Sequence, residues 1–144
     1  MVYDFPMDSV ADVLASIPLF STVPKKELAK LAKDVHLRTF EAGSVFADQD
    51  DYGSIFTVIG DGRATVSVNG QAVGSLGPGD FFGEMALIDK SSRRTATVTA
   101  DTELHALMLT QPVFRPFAMS HPDTLWVLLE HLVARLRQAE NPTT

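Results

Sequence analysis

The hydrophobic pattern divides the chain into a helical start, a long stretch of short strands and a helical end. Near the N-terminus, apolar residues recur at the three- and four-residue spacing of amphipathic helices, over residues 10–17 and again over residues 28–35. Pro18 ends the first helix, and Pro24 suits the first position of the second, where no backbone N–H is needed. The pattern therefore predicts N-terminal helices over about residues 8–35.

From about residue 36 to residue 110 the apolar runs shorten, and turn residues separate them. Residues 55–59, 64–68 and 104–109 have the β-branched and apolar content typical of strands. Asn69-Gly70 predicts a tight hairpin between two strands, and residues 77–79 (Gly-Pro-Gly) predict another turn. Many short strands at this spacing favour a β-sandwich or a small barrel.

The helical period returns after Pro112, and Pro122 opens a last helix that runs to about residue 139. Six apolar residues repeat along one side of this helix: Leu125, Leu128, Leu129, Leu132, Val133 and Leu136. Such a side is most often intramolecular core, although it could pair with a second copy to form a homodimer. Arg135 and Arg137 suit the C-terminal end of the helix dipole, and we expect both to be solvent-exposed charges. Residues 141–144 are expected to fray.

Composition favours one globular domain over residues 1–144, with 45% apolar residues. No apolar run approaches a membrane span, and the start does not resemble a secretory signal. The absence of cysteine excludes a disulfide framework and a cysteine metal site, and it fits a cytoplasmic protein. A net charge of −6 and a pI near 5.0 argue against nonspecific binding of nucleic acid or anionic lipid.

The candidate chemistry lies within residues 83–98. Gly83 lets the backbone approach a ligand, and the residues after it can start a short helix whose free N–H groups attract an anion. Glu84 can accept a hydrogen bond from a sugar hydroxyl, Arg94 can form a forked contact with phosphate oxygens, and Thr95 adds a hydroxyl donor. Taken singly, Gly83 could be only a turn glycine, and Glu84 and Arg94 would more often be a solvated carboxylate and a surface arginine.

Residues 82–88 (FGEMALI), together with residues 94–98 (RTATV), resemble the phosphate-binding cassette of cyclic nucleotide-binding domains. Segments 40–46, 60–63 and 76–82 follow the usual order of that family, so the resemblance covers about residues 9–139. It implies an α+β, mainly β fold, with an eight-stranded jelly-roll β-barrel over about residues 36–110. N-terminal helices and C-terminal lid helices, the latter over about residues 111–139, would flank the barrel.

The resemblance also implies a regulatory role and assigns the ligand contacts. Glu84 would bind the ribose 2′-hydroxyl, and Arg94 would bind the equatorial phosphate oxygen. The full set of implied ligand-binding residues is Gly83, Glu84, Met85, Ala86, Arg94, Thr95 and Ala96. The ligand would be cyclic AMP, with cyclic GMP as a second candidate, and no other cofactor or metal is implied. Binding would draw the cassette inward, the last helix would fold over the purine, and an unknown effector protein or output domain would respond.

Several positions need separate interpretation. Arg93 would be the phosphate ligand in the spacing of many relatives, but the order Arg-Thr-Ala-x-Val after it selects Arg94. In residues 49–53, Asp50 stands where the family often has a turn glycine, so that loop could differ in shape. Leu87 and Ile88 are expected to anchor the cassette. Thr97 and Val98 are expected to pack rather than to contact the ligand. Leu76, Phe81 and Phe82 are expected in the core, although some of them could line the base end of the site.

Two other classes of function find less support in the sequence. A cupin-like metalloenzyme needs clustered histidines, but the four histidines have no common ligand spacing, and no nucleophile motif occurs, so we expect a non-enzyme. A DNA-binding regulator needs a reader module after the last helix, and only residues 141–144 follow it here. The chain could therefore be the sensing fragment of a larger transcription regulator, channel or enzyme.

Overall fold

The computed structural model describes residues 7–47, 55–89, 91 and 93–140. The predicted loop variation at residues 49–53 and the predicted frayed tail lie outside these ranges. Within these ranges there are four α-helices: α1 (Met7–Ala15), α2 (Lys25–Ala32), α3 (Gln111–Ser120) and α4 (Pro122–Glu140). Short 3-10 helices cover Pro18–Phe20 and Glu84–Leu87, and the second is termed the cassette helix below.

The described residues form eight strands between α2 and α3. They are β1 (His36–Phe40), β2 (Val45–Ala47), β3 (Ile55–Asp61), β4 (Ala64–Val68), β5 (Gln71–Leu76), β6 (Phe81–Phe82), β7 (Thr97–Ala100) and β8 (Leu104–Thr110). One sheet has the order β1-β8-β3-β6, and the other has the order β2-β7-β4-β5. All the strand pairs are antiparallel.

The two sheets do not close into a barrel, which corrects the predicted barrel, while the eight strands and the flanking helices are confirmed. Each described sheet ends in strands that pair on one side only. The edge strands β6 and β2 contain two and three residues. Such short strands offer too few backbone groups to carry a hydrogen-bond ladder from one sheet to the other.

The hairpin between β4 and β5 follows the predicted turn chemistry. Asn69 has φ 52° and Gly70 has φ 82°, so both central residues are left-handed, as a type I′ turn requires. Val68 pairs with Gln71 directly across this turn. The prediction of a tight turn at Asn69-Gly70 is confirmed.

The core has two layers, and β8 separates them. On one face, Leu107 and Leu109 join a cluster with residues of all four helices. On the other face, Leu104 and Ala106 join a cluster between the two sheets. Because both faces of β8 are covered, residues 104–109 are all buried, which explains why they are apolar apart from His105.

The last helix places only part of its apolar side in the core. Leu128 is buried, at 2% exposure, and Leu125 and Leu132 are half-buried. Leu129, Val133 and Leu136 are exposed, so the interpretation of the whole side as intramolecular core is wrong for these residues. Within the described ranges, no helix combines the length and the apolar content that crossing a bilayer would need.

Candidate functional site

A cavity of about 510 Å³ lies between the second half of α4 and the strands and loops that surround the cassette helix. Its wall includes strand residues of β4, β5, β6 and β7, together with side chains of α4. All seven residues predicted to bind the ligand lie on this wall: Gly83, Glu84, Met85, Ala86, Arg94, Thr95 and Ala96. Leu76, Phe81 and Phe82 also line it, while they pack partly against the core.

Gly83 turns the chain from β6 into the cassette helix. Its φ of +82° is left-handed, which strains any residue with a side chain. A Cβ built at this position would also lie 2.6 Å from the carbonyl oxygen of Ile55 and 3.6 Å from Arg94 Nη1. Two features therefore require glycine at position 83: the left-handed backbone conformation and the close approach of β3.

The cassette helix is a single short turn with one anchored side. The Ala86 N–H donates a hydrogen bond to the Gly83 carbonyl at 3.0 Å. The Leu87 side chain is buried in the core cluster that includes residues of all four helices. Ile88 is 53% exposed, so the expectation that it anchors the cassette is wrong. Its carbonyl instead accepts a hydrogen bond from Gln111 Nε2 at 3.0 Å, which connects the end of the cassette helix to α3.

A polar turn follows the cassette helix. The Asp89 carboxylate accepts hydrogen bonds from the Ser91 hydroxyl at 2.6 Å and from the Ser91 N–H at 2.9 Å. These two donors lower the pKa of Asp89 below its usual value, the hydroxyl making the larger contribution. The turn starts the loop that leads back to the arginines of the wall.

The two adjacent arginines differ in environment. Arg94 is half-buried, with its guanidinium carbon 5.6 Å from the centroid of the Phe82 ring and with Nη1 next to Gly83. Arg93 is exposed, although it also lines the cavity. Thr95 is exposed on the wall, and Val98 is buried between the sheets. Arg94 is therefore the arginine that lies next to the glycine turn.

Glu84 is buried, at 3% exposure, and two side chains of α4 contact it. Arg135 Nη1 donates a hydrogen bond to Glu84 Oε1 in an ion pair, and His131 Nε2 lies 3.5 Å from the same oxygen. The His131 ring also packs against Phe81, with 5.3 Å between the ring centroids. Arg135 is exposed, as expected, but it also forms an ion pair that the expectation of a plain solvent charge did not include.

The resemblance implied that the last helix would fold over the purine, but it did not identify the side chains of α4 that line the cavity. His131, Arg135 and Gln138 all line the cavity, and their spacing of four and three residues places them on one face of the helix. That spacing was visible in the sequence as a polar stripe beside the apolar side. The sequence does not indicate that this stripe would face Glu84, which lies 51 residues before Arg135.

The wall carries more positive than negative groups. Arg93, Arg94 and Arg135 line it, against the carboxylates of Glu84 and Asp80. Asp80 accepts a hydrogen bond from the Gly77 N–H at 2.8 Å, and Glu84 is paired with Arg135. A local positive balance in a chain of net charge −6 favours an anionic ligand at this cavity.

The histidines are dispersed in the fold. His105 Nδ1 lies 3.0 Å from the Thr39 hydroxyl on β1, and His121 Nδ1 lies 3.1 Å from the Phe117 carbonyl on α3. Within the part of the chain that the structure describes, no three histidine, aspartate or glutamate side chains form a group that could hold a metal ion.

The chain is similar in sequence and in structure to known proteins. The profile of the cyclic nucleotide-binding domain matches residues 37–121. A cAMP-dependent protein kinase regulatory subunit of Schizosaccharomyces pombe is 38% identical over 103 residues, covering 71% of this chain and 25% of that protein. A cyclic nucleotide-gated potassium channel of Rhizobium etli is 35% identical over 111 residues, covering 77% and 31%.

Among solved structures, the catabolite activator protein of Thermus thermophilus superposes with a TM-score of 0.77 at 26% identity, covering 87% of this chain and 61% of that one. The chain thus spans about a quarter to a third of the length of the two curated relatives.

Proposed function

Because the chain belongs to the cyclic nucleotide-binding domain family, we propose that it binds a cyclic nucleotide in the 510 Å³ cavity and acts as a sensor module. One observation carries the proposal: Arg94, Gly83 and Glu84 lie on the wall of a single cavity. A cyclic nucleotide combines a singly charged phosphate with a ribose hydroxyl, and this wall offers a partner for each. The cavity volume lies within the range of small-molecule sites, roughly 300–1,000 Å³.

Arg94 is the proposed phosphate ligand. Arg94 is half-buried, and its guanidinium lies near the Phe82 ring and the Gly83 turn, so its charge is less screened than that of a surface arginine. Arginine presents paired N–H groups that match two phosphate oxygens. Exposed Arg93 lies beside it and would contribute mainly to the local potential.

Glu84 is the proposed sugar ligand, and the side chains around the cavity would hold the base. An ionised carboxylate accepts hydrogen bonds only, which suits a ribose 2′-hydroxyl donor. Phe81, Phe82, Leu76 and the His131 ring supply apolar and aromatic surface around the cavity. Thr95 on the same wall offers a hydroxyl that could reach the phosphate or the base.

Binding would be sensed through the position of α4. This helix contributes side chains to the cavity wall, so a ligand that fills the cavity contacts both α4 and the cassette helix. A ligand that favours one placement of α4 would shift the population toward it. In the regulatory subunit, channel and activator relatives, this domain is part of a longer chain. We therefore propose that an effector protein or an output domain responds to α4, in a regulatory and non-enzymatic role within the cytoplasm.

Calorimetric titration with cyclic AMP, cyclic GMP and adenosine tests the proposal. We expect one-to-one binding of both cyclic nucleotides, with affinities within about 100-fold of each other, because one base hydrogen bond contributes only about 0.5–1.5 kcal/mol. Adenosine keeps the base and the ribose but lacks the phosphate, so it should bind much more weakly. Adenosine binding as tight as cyclic AMP, or no binding of either cyclic nucleotide, would contradict the proposal.

A further inference from the structure

A second, smaller groove lies where the end of the cassette helix meets α3 and the first half of α4. Its volume is about 180 Å³, and it shares no lining residue with the 510 Å³ cavity. The buried part of its lining consists of Leu87, Phe114 and Ala118, at 3%, 1% and 2% exposure. The groove is therefore a separate feature with an apolar floor that belongs to the core.

The rim of this groove is apolar but exposed. Ile88 at the end of the cassette helix is 53% exposed, and Met119 at the end of α3 is 70% exposed. Leu125 of α4, which is half-buried, completes the apolar lining. Single exposed apolar residues are common on protein surfaces, but exposed apolar residues around an apolar depression are typical of a contact surface.

Two polar residues line the groove, and they lie one turn apart on α3. The Gln111 amide already donates to the Ile88 carbonyl at 3.0 Å. Arg115 is exposed, and among the residues that the structure describes it forms no ion pair with a carboxylate. The groove thus combines an apolar floor with a positive charge at its edge, which is complementary to an apolar group that has a carboxylate beside it.

The size of the groove selects the kind of occupant. Small-molecule sites usually enclose roughly 300–1,000 Å³, so a groove of about 180 Å³ is better matched to one apolar side chain of a protein. Such anchor side chains in pockets contribute much of the binding energy at protein interfaces. A stable homodimer buries about 800 Å² on each partner, and one side chain in this groove would supply only a small part of that area.

We propose that this groove docks an acidic amphipathic segment of a partner protein. An apolar side chain of leucine or phenylalanine size enters between Ile88, Met119 and Leu125, and a neighbouring carboxylate pairs with Arg115. The groove is lined by the cassette end, α3 and α4, so the segment contacts three elements at once. The inference rests on the proposed function only in taking the partner as the effector, because docking in the groove needs no nucleotide.

The first experiment probes the groove with three small molecules that share one apolar body. These are 4-methylpentanoate, 4-methylpentan-1-ol and 4-methylpentylamine, which present a carboxylate, a neutral hydroxyl and an ammonium group. Each is titrated without nucleotide into the unmodified chain, Arg115→Gln and Arg137→Gln, and the methyl groups of the chain are followed by NMR. Arg137→Gln is the matched control, because it removes the same charge from an exposed residue that does not line the groove.

We expect 4-methylpentanoate to give saturable shifts at the Leu87, Ile88 and Met119 methyls. The alcohol should bind about two- to fivefold more weakly, as expected for losing an exposed ion pair, and the amine more weakly again. Arg115→Gln should bind the carboxylate no better than the alcohol, and Arg137→Gln should behave as the unmodified chain. No saturable shift at these methyls would overturn the inference, and so would equal binding of the carboxylate and the amine.

The second experiment identifies the kind of segment that the groove accepts. Short random peptides displayed on phage are selected on the unmodified chain without nucleotide, and the enriched peptides are tested on Met119→Ser, Arg115→Glu and the control Leu136→Ser. All three positions are exposed, so the variants should stay folded, which thermal denaturation checks. Leu136 lies near the other end of α4 and does not line the groove.

The enriched peptides should share an apolar residue with an aspartate or glutamate within one helical turn. They should lose about tenfold or more in affinity on Met119→Ser and on Arg115→Glu, as expected for an anchor contact, and should bind Leu136→Ser as the unmodified chain does. Enrichment of basic peptides would overturn the inference. A selection that yields no peptide sensitive to Met119→Ser and Arg115→Glu would also overturn it.

Sedimentation of the unmodified chain and Met119→Ser tests whether a second copy is the occupant instead. A dimer that becomes a monomer in the variant would overturn the assignment to a partner protein. The failure of the inference can be distinguished from the failure of the proposed function. A chain that binds cyclic nucleotides but shows no probe in the groove would contradict only the inference, whereas a chain that shows the expected probe binding but binds no cyclic nucleotide would contradict only the function.

Discussion

The two ends of the cavity are built in different ways. At the cassette end, Phe82, Gly83 and Arg94 come from one short stretch of chain, and their mutual placement follows from a strand, a left-handed glycine and a short helix. At the lid end, Glu84 meets His131 and Arg135, which lie 47 and 51 residues further along the chain. The first end depends on local backbone geometry, and the second depends on how α4 packs against the strands.

This difference indicates a division of roles. A site built from one short stretch of chain keeps its geometry as long as the two sheets are folded, so it suits a constant feature of the ligand such as the phosphate. A site built across two elements changes whenever one of them moves, so it suits the part of the ligand that must influence α4. Substitutions at Gly83, Arg94, Glu84 and Thr95 test this contrast, in order from the largest expected effect to the smallest.

Gly83→Ala should destabilise the cassette end of the cavity, because the backbone conformation at this position suits only glycine. A non-glycine residue in the left-handed region costs about 1–3 kcal/mol. The Cβ would also lie 2.6 Å from the Ile55 carbonyl oxygen, and overpacking of this kind costs about 1–3 kcal/mol more. Urea denaturation should therefore show a loss of about 2–6 kcal/mol in the free energy of unfolding.

Gly79→Ala is the matched control for that prediction. Gly79 has φ +89°, but a Cβ there would meet no atom within 4 Å. Gly79→Ala should therefore lose only the free energy that the left-handed conformation costs a residue with a side chain. Equal losses in the free energy of unfolding for the two variants would show that the contact with β3 does not matter.

Arg94→Ala should abolish most cyclic nucleotide binding while the domain stays folded. Removing one partner of a charge-assisted contact typically costs about 2–5 kcal/mol, or 30-fold and upward in affinity. Arg93→Ala should cost much less, because Arg93 is exposed. Calorimetry on both variants measures the difference. A larger loss for Arg93→Ala would mean that the phosphate binds the other arginine.

Glu84→Ala tests the residue that the two ends share. The variant should bind a cyclic ribonucleotide about 1.5–3 kcal/mol more weakly, which is typical of losing a hydrogen bond to a charged group. Its binding of the 2′-deoxy analogue should hardly change. Arg135, whose side chain is 45% exposed, can then turn to solvent. Equal losses for the two ligands in competition binding would show that Glu84 supports the cassette and does not bind the sugar.

Thr95→Ala should have the smallest effect, because Thr95 is exposed on the wall and supplies one hydroxyl. If that hydroxyl contacts guanine, the variant should lose about 0.5–1.5 kcal/mol for cyclic GMP and stay within several-fold of the unmodified chain for cyclic AMP. Competition binding with both nucleotides decides this. A uniform loss would assign Thr95 to the phosphate alone and would leave this position without a base preference.

Much of the fold could be predicted from the sequence because the signals are local. Asn69-Gly70 is a tight turn because asparagine and glycine tolerate the left-handed conformations that a type I′ turn needs. The helical spacing near both ends and the short apolar runs between them likewise reflect which side chains share a face within one element. The seven cassette residues lie within 14 consecutive positions, so a local motif in the sequence is enough to group them into one candidate site.

The relations between distant segments depend on the packing of the whole chain. The sheets remain open because β2 and β6 are too short to join them, and Ile88 is exposed while its carbonyl accepts a hydrogen bond from Gln111. Arg135 lies on a polar face of α4 whose partner cannot be inferred from helical spacing. A periodic pattern specifies which residues share a face, whereas the packing of the whole chain determines that this face meets Glu84.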